Sequence, residues 1–596
     1  MKHYRKFPSI EGFDTESYRG DILLITSSTD YTEPKSFGEI LDFLWYNGKQ
    51  LNFFFNIGFD FSIILKPYLL QKDKKEWEEL RKFRTFQYGD YELSFVGNKG
   101  FHITIGKKTK DYFDISQFYN DGSFKSLDTV AKEVLGIGKN NEELEIDRAK
   151  IGSEEGYYIK NRDKIIKYGI QDANLTKLLA IEKIKSIQST FDIIPKRWYS
   201  SASIAKSYLD LKHKDEKWQF WKMINGNIDM FEYIYYTYFG GLFQTFQLGY
   251  NDNITEIDIN SAYPDAIRKL FSVRNSSITK LYYPSDKADY GFYRVKLKYN
   301  GLIPYRFKSS LIYPISFNRI ETFITKLEYD YWKNKIDIQF LDGYEIITEK
   351  HKAFSDYEEI YKSRSKIKKI KSLDKQMQQW NLKTVMNASY GCMAESRNNF
   401  TYWSNFVYAS YITAMTRIKI YKAIEEIGLE NVVAIMTDAI VFKDKGQKIT
   451  VSNELGDFKY EDEFRKVSGI FYMNGLYVIN SHLKRRGFPS LKIEDLKGKN
   501  EVQIKRLKIR KILEAIVQDK VKEIGDFQLE DKSINLKANI YRMDYPENYL
   551  QFDYLNLNTI KGLPIIVSEK PYLKSYDKEK LDKMIFRERK NRRWIK

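Results

Sequence analysis

Short apolar runs alternate with helical stretches through the first third of the chain, and this alternation restricts the fold more than any other feature. Residues 21–27 (DILLITS) and 51–55 (LNFFF) have the composition of buried strands. Residues 126–135 predict a serine-capped helix followed by a glycine, and residues 164–184 predict a second helix. The pattern indicates an α/β domain of about 185 residues.

The rest of the chain predicts a second α/β region that begins near Ile254. Two helices are expected between residues 356 and 395, the second over residues 376–390. The first is rich in cations: Lys362, Arg364, Lys366, Lys368, Lys369, Lys371 and Lys375. A long helix is expected over residues 406–427 and a strand–turn–strand over residues 432–442.

The charge balance indicates a polyanionic partner. The 596 residues include 98 Lys and Arg against 80 Asp and Glu, a net charge of +18. Nucleic acid is the simplest such partner, and the alternative is a basic protein without one. The 46 Tyr and 39 Phe would suit stacking on single-stranded bases, although such residues also fill cores.

Several classes of protein are excluded. The single cysteine rules out a disulfide framework and a cysteine-based zinc site, and the five histidines are scattered. The longest apolar-looking stretch, residues 51–70, is too polar for a membrane span, and the first residues contain no apolar signal core. A soluble, intracellular protein without a membrane partner is therefore expected.

Two acids occupy strand ends or turns. In residues 257–264 (IDINSAYP), Asp258 ends an apolar strand and a tight polar turn with Tyr263 follows. In residues 434–442 (AIMTDAIVF), Asp438 lies in a hairpin between apolar strands. Either acid alone is a weak signal, since aspartates commonly cap helices and occupy turns.

Between them, residues 383–391 (KTVMNASYG) predict a functional helix face. Lys383, Asn387 and Tyr390 have the i, i+4, i+7 spacing that places side chains on one stripe. A cation, an amide and a ring can contact a triphosphate, a sugar and a base. The alternative is a solvated helix face that contains one tyrosine.

The order of these segments is the layout of a nucleotidyltransferase palm with fingers, and the chain resembles the family B DNA polymerases. Residues 258–264 resemble motif A, residues 383–391 resemble motif B, and Thr437 and Asp438 resemble the latter part of motif C. The N-terminal part resembles the family's exonuclease motifs at residues 13–16 (FDTE), 56–60 (NIGFD) and 168–172 (YGIQD), with residues 126–139 as the helical segment between the last two. Six patterns in the correct order are not expected by chance.

A further element, Tyr238, Gly240 and Gly241 in YFGG, resembles the YxGG link between exonuclease and polymerase. Chain length and the segment between motifs A and B resemble the protein-primed polymerases of phages and linear plasmids. In that group this segment carries an insertion that binds the terminal protein.

The resemblance implies an α/β multidomain fold, with a ribonuclease H-like exonuclease domain before a right-hand polymerase of palm, fingers and thumb. The expected boundaries are 1–188 for the exonuclease, 189–272 for the first part of the palm, 273–355 for a palm extension like the terminal-protein-binding insertion, 356–398 for the fingers, 399–500 for the second part of the palm, and 501–596 for the thumb and a basic C-terminal tail.

The resemblance also implies site residues. Two Mg²⁺ ions per site are expected, with Mn²⁺ as a possible substitute. The polymerase ligands are Asp258, Asp438 and the carbonyl of Ile259; the exonuclease ligands are Asp14, Glu16, Asp60 and Asp172, with Tyr168 orienting water. Lys383 is expected to contact the triphosphate, with Lys371 or Lys375 as a second cation, and Tyr263 to exclude a ribose 2′-OH. The remaining expected substrate contacts are Ser261, Asn387, Tyr390, Gly391, Asn56, Phe59, Tyr238, Gly240, Gly241 and Tyr477.

The chain departs from the family pattern at several positions. Met436 stands where motif C has its first acid, while Asp438 retains the acid that binds metal. Ala262, Ala388 and Ala439 replace other motif residues. The primer-gripping KxY motif is matched only by residues 475–477 (GLY), which lack the lysine; Lys484, Arg485 and Arg486 are candidate substitutes.

Only 46 residues, 392–437, separate Gly391 from Asp438. This leaves no room for the second insertion of strand-displacing phage enzymes, so weak strand displacement is expected. The leading hypothesis is a viral or plasmid DNA-directed DNA polymerase with 3′→5′ proofreading, a monomer in the host cytoplasm acting on primer–template DNA and dNTPs, with a terminal protein as primer. The alternatives are an exonuclease with an impaired polymerase site and a non-catalytic DNA-binding replication scaffold.

Overall fold

The chain folds into two compact units, each built from separated stretches of sequence. In this computed structural model, unit 1 contains residues 1–211, 364–385 and 505–531, and unit 2 contains residues 212–363, 386–504 and 532–596. The structure describes residues 4, 6–120, 125–139, 146–308, 310–396, 400–486, 491–496, 501–535, 538–539, 551–552, 559–573 and 575–594.

Unit 1 is organised around a mixed sheet of eight strands. Its order is Tyr31–Thr32, Asp21–Ser27, Ile10–Tyr18, Leu51–Phe54, Lys108–Asp114, Gly100–Ile105, Tyr91–Phe95 and Thr85–Tyr88. Ile10–Tyr18 pairs in parallel with Leu51–Phe54, which pairs in parallel with Lys108–Asp114; the other neighbours are antiparallel. The strand predicted at residues 21–27 is confirmed, and the one predicted at residues 51–55 ends one residue earlier.

The helices of unit 1 cover this sheet. They are Phe37–Asn47, Ile57–Leu69, Lys74–Phe83, Leu127–Leu135, Arg148–Ser153, Tyr157–Lys160, Arg162–Phe191, Ser201–Lys212, Ile512–Val517 and the first part of Leu373–Met393. The predicted cap is confirmed: Ser126 accepts from the backbone N–H of Thr129, and Gly136 ends the helix with φ +69°. The helix predicted over residues 164–184 is longer, Arg162–Phe191. It lies so close to the sheet that a Cβ on Gly12 would be 2.1 Å from the carbonyl oxygen of Ala173.

A buried lysine joins two helices within unit 1. Lys183 is 2 % exposed, and its Nζ donates to Oδ1 of Asn381 over 2.8 Å and lies 4.6 Å from the ring centroid of Trp380. Burial lowers the pKa of Lys183 to about 7. The long helix Arg162–Phe191 therefore contacts Leu373–Met393 through an amine that is easily neutralised.

This lysine should make the stability of the protein depend on pH. The unfolded chain keeps the Lys183 proton up to about pH 10.4, whereas the folded chain releases it near pH 7. The unfolded state therefore binds more protons between these values, and the free energy of unfolding rises with pH there, by at most about 1.4 kcal/mol per unit. Urea denaturation at pH 7, 8 and 9 should show a smaller rise for Lys183→Met than for wild type. Lys185→Met, at an exposed position on the same helix, should keep the wild-type slope; equal slopes for all three proteins would contradict the assignment.

Unit 2 contains a nine-stranded antiparallel sheet. Seven strands follow the order His482–Arg485, Leu476–Ile479, Val467–Met473, Gln247–Ile259, Ala439–Lys443, Val432–Thr437 and Leu242–Thr245, while Phe458–Tyr460 and Ile560–Lys561 also pair with Gln247–Ile259. We call Gln247–Ile259 the central strand, because it contacts strands on both sides. The strand–turn–strand predicted over residues 432–442 is confirmed as Val432–Thr437 and Ala439–Lys443.

Smaller sheets complete the β structure. A four-stranded sheet of unit 2 has the order Ser277–Leu281, Ile338–Ile347, Tyr290–Leu297 and Ile320–Thr325. Three two-stranded pairs are Tyr305–Phe307 with Ser310–Ile312, Glu501–Ile509 with Phe527–Asn535, and Ala538–Asn539 with Gln551–Phe552.

The helices of unit 2 are Gln219–Asn225, Ile228–Tyr236, Ala262–Lys269, Lys326–Trp332, most of Tyr357–Ile367, the end of Leu373–Met393, Phe406–Ile427, Ile493–Leu496 and Lys578–Trp594. The helix predicted over residues 406–427 is confirmed. The expected basic helix is shorter than predicted: it ends at Ile367, so Lys371 lies between helices and Lys375 belongs to the next one, Leu373–Met393. The expected basic tail is helical as far as Trp594.

A buried ion pair fixes the segment that contains Gly240. Arg417, which is fully buried, contacts Oε1 of Glu328 through Nε and Nη2 at 2.9 and 2.7 Å. Its Nη1 donates to the carbonyls of Phe239 and Gly240. The predicted YxGG element is therefore held by its backbone.

Among the helices described, none has the length and apolar character of a membrane span.

Candidate active sites

The central strand brings the two predicted aspartates of unit 2 side by side. Asp258 pairs with Ala439 across the sheet, and the backbone N–H of Ile259 donates to the carbonyl of Asp438 over 2.9 Å. Asp438 follows Thr437 in the hairpin turn, and both acids are partly buried. Two carboxylates separated by 180 positions in sequence thus share one site.

Both turns at this site use left-handed backbone at a non-glycine residue. Ser261 has φ +53° and Thr437 has φ +72°. Such conformations are costly for residues with a Cβ and tend to occur at functional sites. Gly241 allows the second turn to form, because a Cβ at this position would be 2.5 Å from Cγ2 of Thr437. Gly241 is thus placed against motif C, where its missing side chain is a packing requirement.

Mutual repulsion and burial disturb the titration of the two aspartates. Burial and the neighbouring Asp438 raise the pKa of Asp258 to about 7, and burial raises the pKa of Asp438. Lys459 pairs with Asp258 across the strand on the other side, and its Nζ is 3.7 Å from Oδ2. Two raised pKa values beside a cation indicate a site that favours positive charge.

The donor set fits Mg²⁺ better than a closed protein cage. In the described part of the chain, no group of three or more His, Cys, Asp or Glu side chains is arranged to hold a metal ion. Mg²⁺ commonly binds one or two carboxylates together with substrate phosphates. Asp258 and Asp438 match that requirement, and Lys459 forms an ion pair with Asp258.

Three tyrosines predicted from separate motifs meet beside this site. The rings of Tyr263 and Tyr390 have centroids 4.4 Å apart, and the hydroxyls of Tyr238 and Tyr390 are 2.7 Å apart. Asn387 and Gly391 are exposed on the same helix. Lys371, Lys375 and Lys383 belong to unit 1, where Lys371 and Lys383 are exposed and Lys375 is half-buried.

The predicted primer contact Tyr477 is buried. It is 6 % exposed, stacks on Phe471 at 4.9 Å between centroids, and pairs across the strands with Lys484. Arg486 lies over the ring of Phe243, and its backbone N–H donates to the carbonyl of Gly475. The expected substitutes for the missing lysine therefore flank the GLY segment.

A second acidic site lies within unit 1, in a cavity of about 570 Å³. Asp14 and Glu16 are two positions apart on the strand Ile10–Tyr18 and so point to the same side. Asp60 comes from the helix Ile57–Leu69, whose N-cap residue Asn56 is left-handed at φ +68°. The predicted residues lining the cavity are Asp14, Glu16, Asn56, Phe59, Asp60 and Asp172.

Burial dominates the chemistry of Asp60. The side chain is 3 % exposed, and Thr15 Oγ1 donates to its Oδ1 over 2.7 Å. Burial and the negative charge of Asp14 hold the pKa of Asp60 well above its usual value. A bound cation would reverse this effect, because it offsets the repulsion between the carboxylates.

Lys139 is a site residue that sequence reasoning missed. Its Nζ contacts the carboxylate of Asp172 and donates to the hydroxyl of Tyr168 over 2.9 Å; both members of the ion pair are almost fully buried. The structure thus places Tyr168 against a lysine as well as near the acids. The only signal in the sequence is that Lys139 follows a predicted helix, and nothing local joins it to Asp172.

Replacing Lys139 should destabilise the protein unless a metal ion is present. Lys139→Met leaves the buried carboxylate of Asp172 uncompensated, which typically costs about 3–5 kcal/mol. We expect a loss of this order in the free energy of unfolding without Mg²⁺ and partial recovery with it, measured by urea denaturation. Lys132→Met, at an exposed ion pair in the preceding helix, is the matched control. An equal loss with and without Mg²⁺ would argue against a cation site here.

An antiparallel sheet with two adjacent aspartates, next to a helix that contributes Tyr390, is the arrangement of a nucleotidyltransferase palm. A family model described as DNA polymerase type B, organellar and viral, matches residues 97–414, more than half of the chain. The chain belongs to this family and is a DNA polymerase.

Individual relatives agree with this assignment. The DNA polymerase of Acidianus bottle-shaped virus is 24 % identical over 509 residues, which cover 74 % of each chain. Phi29 DNA polymerase with primer–template DNA matches at 14 % identity and a TM-score of 0.58, covering 89 % of this chain and all of the other. The complex of the same enzyme with incoming nucleotides matches at 13 % identity and a TM-score of 0.56, with the same coverage. The expected α/β multidomain fold is confirmed, and it is similar to that of phi29 DNA polymerase.

Proposed function

We propose that this polymerase synthesises DNA at the Asp258–Asp438 site and removes 3′ nucleotides at the acidic cavity of unit 1. The observation that best supports the polymerase site is the backbone hydrogen bond from Ile259 to Asp438, which places the two motif aspartates beside each other. The cavity supports the nuclease, because six predicted site residues line it together with the buried Lys139.

In the polymerase site, the carboxylates of Asp258 and Asp438 and the carbonyl of Ile259 would hold Mg²⁺. When bound, the metal supplies Lewis-acid activation of the primer 3′-OH and neutralises phosphate charge. The ring of Tyr263 packs on Tyr390, and we propose that it excludes a ribose 2′-OH. The exposed Asn387 and Gly391 would contact the new base pair, and the left-handed turn at Ser261 would direct Tyr263 toward it.

Cations elsewhere are proposed to bind phosphate. Lys383, with Lys371 or Lys375, would contact the triphosphate, since exposed lysines are suited to act as point charges for phosphate. Lys484 and Arg486 would take the place of the absent KxY lysine. A lysine at position 475 would be strained, because φ is +78° there and a Cβ would be 3.0 Å from Cβ of Arg486.

In the nuclease site, the carboxylates of Asp14, Glu16, Asp60 and Asp172 would hold Mg²⁺ together with phosphate of the DNA rather than as a closed protein cage. The metal activates water when bound. Lys139 donates to the hydroxyl of Tyr168, and this contact would help Tyr168 to orient water. Asn56 and Phe59 line the cavity and would contact the terminal nucleotide. Thr15 orients the buried carboxylate of Asp60.

The domain boundaries given above are retained in this proposal: 1–188, 189–272, 273–355, 356–398, 399–500 and 501–596. The phi29 polymerase structures contain primer–template DNA and incoming nucleotides, and we propose the same substrates here. A terminal protein that contacts residues 273–355 is the proposed primer. We also propose that the protein acts as a monomer in the host cytoplasm.

Incubation of the purified protein and Mg²⁺ with a 5′-labelled primer–template tests the two activities together. We expect extension with dNTPs and shortening without them. Shortening in both reactions would indicate a nuclease whose polymerase site is impaired by the replacement of an acid with Met436. No change in either reaction would favour the scaffold.

Strand displacement should be weak. The 46 residues between Gly391 and Asp438 leave no room for the second insertion expected of displacing enzymes. On a gapped template, we expect extension to slow at the 5′ end of a downstream strand, whereas the same template without that strand is copied to its end. Efficient copying through a long duplex by the protein alone would refute this expectation.

A further inference from the structure

Glu256 is a buried acid of the polymerase site that no motif includes. It lies two positions before Asp258 on the central strand, so both side chains point to the same face of the sheet. Glu256 is 7 % exposed, and its Oε2 is buried without a hydrogen-bond partner among the described residues. Because a buried carboxylate oxygen without a partner is costly, this one calls for an explanation.

Charged groups near the polymerase aspartates act on Glu256. Lys484 and Lys459 attract its carboxylate, and Asp438 repels it. Lys459 lies opposite Asp258 across the strands, and its Nζ is 3.7 Å from that carboxylate and also contacts Glu461. Lys459 is therefore a cation shared between Asp258 and Glu461.

Met436 shares this face of the sheet. Val441 pairs with Glu256 on one side and with Ala434 on the other. Since residues opposite each other share a face and alternate residues repeat it, Met436 points to the same side as Glu256. The chain thus has an extra acid on the face where motif C lacks one.

Lys459 competes with a divalent cation for Asp258. Both carry positive charge, and like charges at one carboxylate repel strongly in a partly buried site. A cation bound by Asp258 would therefore displace the ammonium of Lys459. The open oxygen of Glu256 is a buried acceptor on the same face.

We infer that Glu256 is a positioning residue of the polymerase site, which accepts the ammonium of Lys459 when Asp258 binds a divalent cation and so supplies the charge missing at Met436. This inference rests on the proposed function of the Asp258–Asp438 site. It assigns Glu256 no direct contact with metal or substrate.

The test is the Mg²⁺ dependence of primer extension. With Glu256→Gln, Lys459 should remain on Asp258, and the Mg²⁺ concentration for half-maximal extension should rise on the order of ten-fold. Combining Glu256→Gln with Lys459→Gln should return the Mg²⁺ concentration for half-maximal extension toward the wild-type value, because the competing cation has been removed. Met436→Asp should also rescue Glu256→Gln by restoring an acid to this face.

Two controls separate a positioning role from a structural one. Glu463→Gln, an exposed acid in the same unit, should leave the Mg²⁺ dependence unchanged. Exonuclease activity of the same proteins should keep its own Mg²⁺ dependence. If Glu256→Gln does not fold, Lys459→Gln alone remains informative, since it should lower the Mg²⁺ requirement below that of wild type.

An unchanged Mg²⁺ requirement in Glu256→Gln would overturn the inference, as would a lower maximal rate without a change in that requirement. The inference would also be overturned if adding Lys459→Gln to Glu256→Gln did not lower the Mg²⁺ requirement again. These outcomes differ from failure of the proposed function, in which the wild-type protein would extend no primer at any Mg²⁺ concentration.

Discussion

Replacing Asp438 by Asn should reduce primer extension by on the order of 10³-fold or more, while shortening of the primer continues. The substitution removes one charged ligand from a site that has two aspartates side by side. A metal ion contributes several kcal/mol to stabilisation of charge in the transition state, and each 1.4 kcal/mol corresponds to about ten-fold in rate. Single-nucleotide incorporation measured against excess dNTP would give the loss directly.

Asp462→Asn is the matched control for this experiment. Asp462 is exposed in the same unit, so its change removes the same charge without touching the paired aspartates. We expect near wild-type extension from it. If Asp438→Asn synthesises DNA as well as the control does, motif C has been assigned to the wrong residues.

The double change Asp14→Ala and Glu16→Ala should abolish 3′→5′ shortening, again by on the order of 10³-fold, and leave extension active. These two acids come from one strand and face the same cavity as Asp60 and Asp172. Without them, two of the four candidate metal ligands are gone, and the remaining pair cannot hold the same cations. Release of labelled 3′ nucleotide from single-stranded DNA is the measurement.

A second readout follows from the loss of proofreading. At low dNTP concentration, the double variant should accumulate longer products than wild type, because extension is no longer opposed by excision. Asp163→Ala with Glu182→Ala removes one exposed and one half-buried acid from the helix Arg162–Phe191 and should behave as wild type. Normal shortening by the Asp14 and Glu16 variant would place the nuclease elsewhere in the chain.

Local patterns in the sequence were sufficient for many elements. The strand Asp21–Ser27, the capped helix Leu127–Leu135 and the helix Phe406–Ile427 agree with prediction, because apolar periodicity and capping residues act within a few positions. The ends of helices were harder to predict where a helix continues beyond its apolar pattern. The basic run was divided wrongly for this reason, since charged residues give no apolar period that marks a helix end.

The sequence by itself determined the class of this protein, through the order and spacing of acids, amides and rings in six motifs. It also determined which residues could serve two acidic sites. The residues of each motif lie within a few positions of each other, so each motif can be recognised from the sequence alone.

Only the tertiary structure decided which groups surround those acids. Lys139 forms an ion pair with Asp172, 33 positions away, and Lys459 forms one with Asp258, 201 positions away. Gly241 leaves space for the side chain of Thr437, 196 positions away. Sheet register and burial select these partners, and neither is encoded in any short segment. The same register places Glu256 beside the polymerase aspartates, where periodicity alone would have treated it as one more residue of a strand.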